Sequence, residues 1–549
     1  MSQMLKSSGA MGVATLISRV LGLVREQVYA GFMGDGVVAS AFKLAYQAPN
    51  LFRRLLGEGA LTAAFIPIFK QKERTEGEAA MWESANAVLS GLILFASIVV
   101  GICLAIVSLV LAAGSLRFSS GGDAVFPPFP IPILGEDTRL VLRLLQVMLP
   151  YLLLVCVAAL CMGLLNARGY FFIPAMSATM LNVVLIAAVL LLAPRFGDQL
   201  ETQVFALALG VVAAGVAQLG FQWPTLRKDG FRYRWIRPWN NPTVREVVRR
   251  MLPATVGVAA FQLNVLIIAF IAFYVDRTLV ASFDYAVRLM EFPQGVVGIS
   301  FATYLLPTLS GLAAEKKYPE FRATLREGLG YLLFVNLLAA TLLLVLAEPM
   351  VRLLFERGQF TASSTHRAAM ALAGLAPGLV AFSSVNVLAR AFYALGDTQT
   401  PMKISVACLV LNLVCSLWLI GPFRQLGLGM ANSITAYVNV WLLMRALRKK
   451  MPKLDFIPLR SAALMLLAIA AVTGAVAWSG QHLWGIRWGH ATLLQKLGEV
   501  FVPMAVAGLV YWGLAVALRV PQAKEVSRLV FGQLRKLRAR EIPSDWPRG

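Results

Sequence analysis

Charge is scarce in this 549-residue chain, and acid is scarcer still: 14% of residues are charged, with 28 Asp and Glu against 50 Lys and Arg. A soluble domain carries about a quarter of its residues as charge, so this chain lacks the means to cover one with a water-facing surface. Histidine (3) and cysteine (5) are also sparse. The cysteines, Cys103, Cys156, Cys161, Cys408 and Cys415, all fall in apolar segments, and His366, His482 and His490 do not cluster with them. That pattern excludes a disulfide framework and a zinc-type site. No disulfide, metal or cofactor is expected, and no polar stretch is long enough for a sizeable soluble domain.

What remains is apolar: 58% of the residues are hydrophobic, and the mean hydropathy is +0.71. Runs of about 20 apolar residues, enough to span a bilayer as a helix, recur along the whole chain. The expected fold class is an all-α polytopic membrane protein with about 14 transmembrane helices, near 10–31, 37–57, 86–113, 140–166, 173–194, 202–223, 250–274, 279–306, 328–347, 368–392, 402–421, 427–447, 460–478 and 498–518. The first run is long, broken by arginines and without a small-residue cleavage site, so it is expected to stay in place rather than leave as a signal peptide.

The formal charge of +22 would suit a nucleic-acid partner, but its distribution points elsewhere. Alternate connections are basic: Lys70, Lys72 and Arg74; Arg227, Lys228, Arg232, Arg234 and Arg237; Lys316, Lys317 and Arg322; Arg448, Lys449, Lys450 and Lys453. The connections between them, such as "GFMGDG" (31–36) and the Pro/Gly-rich "SGGDAVFPPFPIPILGED" (120–137), are not. By the positive-inside rule both termini are cytoplasmic. No nucleic acid is expected. The tail "KEVSRLVFGQLRKLRAR" (524–540) mixes basic and apolar residues at helical spacing, which suits the anionic cytoplasmic leaflet, with a solvated tail as the alternative.

Two stretches recur. "VVASAFKLAYQAPNLF" (37–52) resembles "LVASFDYAVRLMEFPQGV" (279–296), each followed by a proline, Pro67 and Pro307. "LNARGYFFIPAMSATMLNVV" (165–184) resembles "LARAFYALGDTQTPMKISVACLVLNLV" (388–414). Both pairs stand six helices apart, an even offset that preserves orientation, which points to two pseudo-symmetric six-helix lobes. The expected organisation is an N-terminal lobe over 1–223, a basic cytoplasmic linker over 224–249, a C-terminal lobe over 250–450, two additional helices over 451–520 and a basic amphipathic tail over 521–549.

Charges inside these spans are the informative exceptions. An ionisable group near the bilayer centre costs about 2.5–3.5 kcal/mol by insertion scales, so it usually lines a water-filled pathway. In "SRVLGLVRE" (18–26), Ser18 and Arg25 share one helical stripe and Arg19 and Glu26 the next. "PNLFRRLLGEG" (49–59) sets Arg53 beside Arg54, with Glu58 at ion-pair spacing from Arg54. "YAVRLMEFP" (285–293) sets Arg288 three residues before Glu291, with Pro293 placed to bend the helix. Each group also has a structural reading: Arg25, Arg53 and Arg54 could snorkel, and the Arg/Glu pairs could simply join helices. Arg168 and Arg390 sit at cytoplasmic helix ends where snorkelling suffices. Lys43 suits either class, and Asn166, Asn182, Asn264, Gln262 and Asn386 read as packing polars.

Guanidinium groups gathered between lobes call for an anion. Arg presents a fixed fork of donors that matches phosphate or carboxylate and keeps its charge at any relevant pH. A cationic-drug pump or a proton relay would need acids that the central segments lack, so a phosphate-bearing substrate fits best.

At these residues the chain strongly resembles the MurJ/MviN family, the lipid II flippases of the multidrug/oligosaccharidyl-lipid/polysaccharide exporter superfamily. The resemblance is carried by "SRVLGLVRE" (18–26), "APNLFRRLLGEGALTAAFIPIF" (48–69), "LLNARGYFFIPA" (164–175) and "YAVRLMEFPQGVVGISFATYLLPTLS" (285–310). It implies 14 helices in two lobes, a central cationic cavity, a lipid-tail groove near the last two helices, and a transporter rather than an enzyme. The implied substrate is undecaprenyl-diphosphate disaccharide pentapeptide, moved from the cytoplasmic to the periplasmic leaflet of the bacterial inner membrane. By motif position, the family's functional arginines fall on Arg19, Arg25, Arg53 and Arg288, with Glu58 as the matching acid. Ser18 joins them as a substrate-site candidate, and Glu26, Arg54, Glu291, Lys43 and Asn166 form a second tier.

The sequence also departs from the family pattern: Ser40 and Val287 stand where acids are common, and Glu26 stands for a common Asp. No acid cluster for a sodium site is evident in the second lobe, where Arg390 takes the kind of position that needs a carboxylate. Coupling to an ion or to the membrane potential stays open. The expected partners are lipid II and membrane lipids, with cell-wall synthesis proteins left open and the chain taken as a monomer. The alternatives are export of another polyprenyl-diphosphate-linked glycan, a membrane glycosyltransferase, or a scaffold for cell-wall enzymes.

Overall fold

The computed structural model describes residues 2–57, 60–119 and 135–525, and every regular element among them is helical. Glu58, the segment 120–134 and the tail from 526 lie outside the described residues, and with them the expected Arg54–Glu58 pair and most of the Pro/Gly-rich connection and the amphipathic tail. Nine helical runs among the described residues are long and apolar enough to cross a membrane. The chain is therefore a multi-pass, all-helical membrane protein. It divides into two compact units: residues up to Ala281 together with Phe355–Ser364, and Ser282–Leu354 together with the residues from Thr365 on.

The first unit holds α1 (Ser2–Met33), α2 (Val37–Phe52), α3 (Ala60–Thr75), α4 (Glu78–Ser119), α5 (Glu136–Met148), α6 (Pro150–Ala167), α7 (Phe172–Ala187), α8 (Leu200–Lys228) and α9 (Pro242–Val275). Pro150 and Pro242 stand in first turns, where a missing N–H costs no hydrogen bond. α7 packs on α1 and α8, α6 on α4 and α8, and α3 on α9. The core between them includes Phe65, Phe69, Met81, Leu160 and Leu164. α8 comes close to its neighbours through small residues: a Cβ on Gly210 would stand 2.7 Å from that of Ala188. Such close approach drives helix association where lipid removes the hydrophobic gain.

The boundary between units falls inside α10 (Leu279–Pro293). Beyond it come α11 (Ser300–Ala314), α12 (Tyr318–Val345), α13 (Ala347–Phe355), α14 (Ala362–Leu375), α15 (Leu379–Ala394), α16 (Gln399–Lys450), α17 (Ile457–Trp488) and α18 (Leu493–Ala517). α16 is two helices joined at Arg424, whose φ of 46° and ψ of −118° follow Pro422. In the second unit α12 packs on α15 and α17, and α17 on α18. The Tyr511 hydroxyl of α18 donates to the carbonyl of Phe334 in α12 at 2.8 Å. α14 and α16 meet at glycines, where a Cβ on Gly429 would lie 2.7 Å from the Ala371 carbonyl oxygen, and the Ser433 hydroxyl donates to the Gly374 carbonyl at 2.7 Å.

The two repeated stretches have matching irregularities. α2 leads through a π-helical turn, Arg53–Gly57, toward α3, and α10 leads through another, Gln294–Ile299, into α11. Pro293 has no N–H to offer the preceding turn, which favours the wider turn that follows it. α6 and α15 both end in a turn on a left-handed glycine, Gly169 (φ +89°) and Gly396 (φ +74°). Pro174 and Pro401 follow in the next helix.

Candidate functional site

The apolar faces of α1, α2 and α7 bring their few polar side chains together within the first unit. Arg25 of α1 donates from Nη1 to Asn182 Oδ1 of α7 at 3.0 Å and from Nη2 to Glu26 Oε1 at 2.5 Å. The same Asn182 donates from Nδ2 to the Ser18 carbonyl at 3.2 Å. One amide thus reads both ends of the Ser18/Arg25 stripe that the sevenfold spacing sets up. The Arg25 guanidinium lies 5.6 Å from the ring centre of Tyr29, one turn on. Glu26 is 3% exposed and its second oxygen lies 3.5 Å from Lys43 Nζ of α2, itself 7% exposed. One carboxylate therefore serves two cations, one from α1 and one from α2, where water is scarce. Arg25 is also half-buried with its fork of donors fixed by two partners, the pre-organisation that anion recognition requires.

The other sequence candidates fall elsewhere. Arg19, on the same helix, is exposed and makes no hydrogen bond or ion pair among the described residues. Glu26, which shares its stripe, takes Arg25 and Lys43 instead. Arg53 donates from Nε to Asn50 Oδ1 at 2.9 Å, and Arg53 and Arg54 are both half-buried within the π-helical turn. Asn166 is half-buried at the end of α6. In the second unit, Arg288 donates to Glu291 Oε2 at 3.0 Å, as its threefold spacing suggests, and approaches Asp284 Oδ1 at 3.8 Å. Asp284 was not singled out, although it precedes Arg288 by four residues, the separation already used for Arg54. Val287 removes an acid beside this arginine, and Asp284 supplies one a turn earlier.

Ser40 has a structural task of its own. Its buried hydroxyl accepts from the Ala281 N–H at 3.2 Å. Ala281 is the third residue of α10 and carries one of the N–H groups that a helix start leaves without a partner.

Arg168, at the end of α6 where snorkelling is expected, has protein partners in addition. Its guanidinium donates to Glu73, to Asp229 Oδ2 at 2.6 Å and to Glu78 Oε1 at 3.3 Å, and lies 5.8 Å from a Trp82 ring centre. Acids from three helix ends converge on it, so protein partners hold it at the end of α6. Its hydrogen bond to Asp229 heads the effects that raise its pKa further. The Glu73 carboxyl is held below its ordinary range by its hydrogen bond from Lys70 and then by charges including Arg168. In the second unit Asp397 is held well below its ordinary range, first by Lys450, which donates at 2.7 Å, and then by Thr400.

Comparison with known proteins shows the family of the chain. The family described as "Lipid II flippase MurJ" matches residues 29–498. A Vibrio cholerae protein named as a probable lipid II flippase MurJ is 33% identical over 514 residues, covering 90% of this chain and 94% of that one. In fold, the chain is similar to a solved lipid II flippase MurJ in an inward closed conformation, with a TM-score of 0.71 at 19% identity over 93% of this chain and 98% of that one. It is also similar to an inward-facing multidrug resistance MATE family transporter of the MOP superfamily, with a TM-score of 0.59 at 15% identity over 79% of this chain and 96% of that one. The matched residues take in α2, α10 and most of the helical framework, and on that extent of likeness the chain belongs to the MurJ family.

Proposed function

We propose that this protein flips lipid II, the undecaprenyl-diphosphate disaccharide pentapeptide, from the cytoplasmic to the periplasmic leaflet of the bacterial inner membrane. Family membership over residues 29–498 carries the reading. The buried cluster of Arg25, Lys43 and Glu26, with two cations on one carboxylate, supports an anionic head being met there. Arg19, Arg25, Arg53 and Arg288 bind the diphosphate and its sugar-peptide head in a cationic cavity, with Ser18 and Glu58 beside them and Glu26, Arg54, Glu291, Lys43 and Asn166 tuning their charge. No bond is made or broken and no cofactor is needed. The polyprenyl tail stays in lipid, along α17 and α18.

Alternating access follows from the electrostatics. Closing an empty cationic cavity presses like charges together, whereas a bound diphosphate neutralises them and lets the carrier close and reopen outward. The empty carrier then returns with net positive charge. A charge crossing the membrane potential exchanges about 2.3 kcal/mol per 100 mV, so a negative interior favours the return. Collapsing the potential in proteoliposomes should slow multiple turnovers; an unchanged rate would exclude this resetting step.

Fourteen spans in two six-helix lobes with two additional helices, both termini cytoplasmic, complete the proposal. The paired π-helical turns and the paired turns on Gly169 and Gly396 support the duplication. In cells depleted of their own lipid II flippase, expression of this chain should restore growth and cell shape. Failure to do so despite normal insertion, with rescue of a strain lacking an exporter of another polyprenyl-diphosphate glycan, would reassign the substrate.

A further inference from the structure

The segment between α8 and α9 forms no regular element, yet its backbone is held at several points. Asn86 of α4 donates to the Arg232 carbonyl at 3.1 Å and accepts from the Arg234 N–H at 3.1 Å. One turn further along α4, the Ser90 hydroxyl accepts from the Ile236 N–H at 3.2 Å and lies 3.4 Å from the Tyr233 hydroxyl. Two side chains thus do for this strand-like stretch what a neighbouring strand does in a sheet. Phe231 anchors its start, buried against Trp82 and Trp223. Pro238 is buried toward its end, and Asn241 then caps α9 by accepting from the Thr243 and Val244 N–H groups.

With the backbone pinned, the side chains turned outward are cationic and aromatic in near alternation. Arg232, Tyr233, Arg234, Trp235, Arg237 and Trp239 are all exposed, Trp235 at 51% and Trp239 at 62%. Among the described residues none of the three arginines pairs with a carboxylate, and Asp229, at the start of the segment, is committed to Arg168. Exposed tryptophans on a rigid backbone are unfavourable in water but suited to the headgroup layer, where an amphipathic ring is half wet and half dry. The adjoining arginines match lipid phosphates. The position agrees, because the apolar span of α8 ends at Lys228, just before the segment, and Asn86 and Ser90, which hold its backbone, lie in the apolar span of α4.

We propose that residues 232–239 form a strap, held on α4 by Asn86 and Ser90, that binds the headgroups of anionic phospholipids at the membrane surface. This surface is separate from the residues assigned to the transported lipid, and it does not depend on which lipid-linked glycan is moved.

The test uses the full chain in nanodiscs of phosphatidylcholine containing a small, equal fraction of either brominated phosphatidylglycerol or brominated phosphatidylcholine. The contribution of Trp235 and Trp239 is taken as the fluorescence lost in the Trp235→Phe/Trp239→Phe variant. Brominated phosphatidylglycerol should quench that contribution several-fold more strongly than brominated phosphatidylcholine. The Arg232→Gln/Arg234→Gln/Arg237→Gln variant should remove the preference, and Asn86→Ala, which keeps every arginine but releases the backbone, should weaken it. Equal quenching by the two lipids, or a preference that survives both variants, would overturn the proposal. Quenching by neither lipid would also overturn it and turn the strap toward a protein partner.

Discussion

Glu26 sits between two cations, and that position joins α1 to α2. Removing one partner of a buried ion pair leaves the other uncompensated, at a cost of about 3–5 kcal/mol. Glu26→Gln should therefore lower the thermal unfolding midpoint in detergent far more than Asn50→Ala, which removes a single hydrogen bond worth about 1–3 kcal/mol. Equal midpoints for the two variants would show that Glu26 does not carry the charge of both Arg25 and Lys43. Part of this site is legible in the sequence. The sevenfold spacing of Ser18 and Arg25 puts them on one stripe, and Asn182 meets both. The partners of Glu26 are not legible, because adjacent residues on a helix do not normally face each other and the approach of Lys43 depends on how α1 and α2 pack. Asn50 and Asp284 lie within one turn of Arg53 and Arg288, and local spacing alone was enough to find them.

Among the elements, the apolar runs locate helices well but mark their ends poorly. Hydropathy records where lipid stops, whereas a helix continues as long as its hydrogen bonds are met. α4 therefore runs to Ser119 and α12 starts at Tyr318, both beyond their apolar stretches. The π-helical turns leave no signal in periodicity over so few residues, and α13 is too short to register as a span. The helix-end network around Arg168 depends on three connections coming together, which no single segment announces. It also makes stability depend on pH. A carboxyl whose folded-state pKa is depressed stabilises the fold above its unfolded value and loses that contribution as the pH falls through the folded value. Glu73, ordinarily near 4.5, and Asp397, ordinarily near 3.8, are both of this kind. The unfolding midpoint should fall on acidification below about pH 4.5. In Arg168→Gln the midpoint should already be lower at pH 7, and its further fall with acid should be smaller. A wild-type acid dependence in that variant would remove Arg168 from the network's electrostatics.

For the molecule as a whole, the shortage of charge identifies a membrane protein, and the few charges inside its spans are the ones the proposed function uses. Composition alone leads to the all-helical class, and spacing leads to Arg25 and Arg288. Neither could show that the two repeated stretches share a π-helical turn, because that similarity lies in backbone hydrogen bonding rather than in residue type. A cationic site for an anionic head is the central claim, and transport of the head is its direct expression. The decisive measurement is the appearance of the lipid II head on the periplasmic side of cells that depend on this chain alone. Wild type should be compared with Arg25→Ala and Arg288→Ala variants present in the membrane at equal level. The expected result is that the head stays in the cytoplasmic leaflet in both variants; translocation at the wild-type rate by both would contradict the assignment.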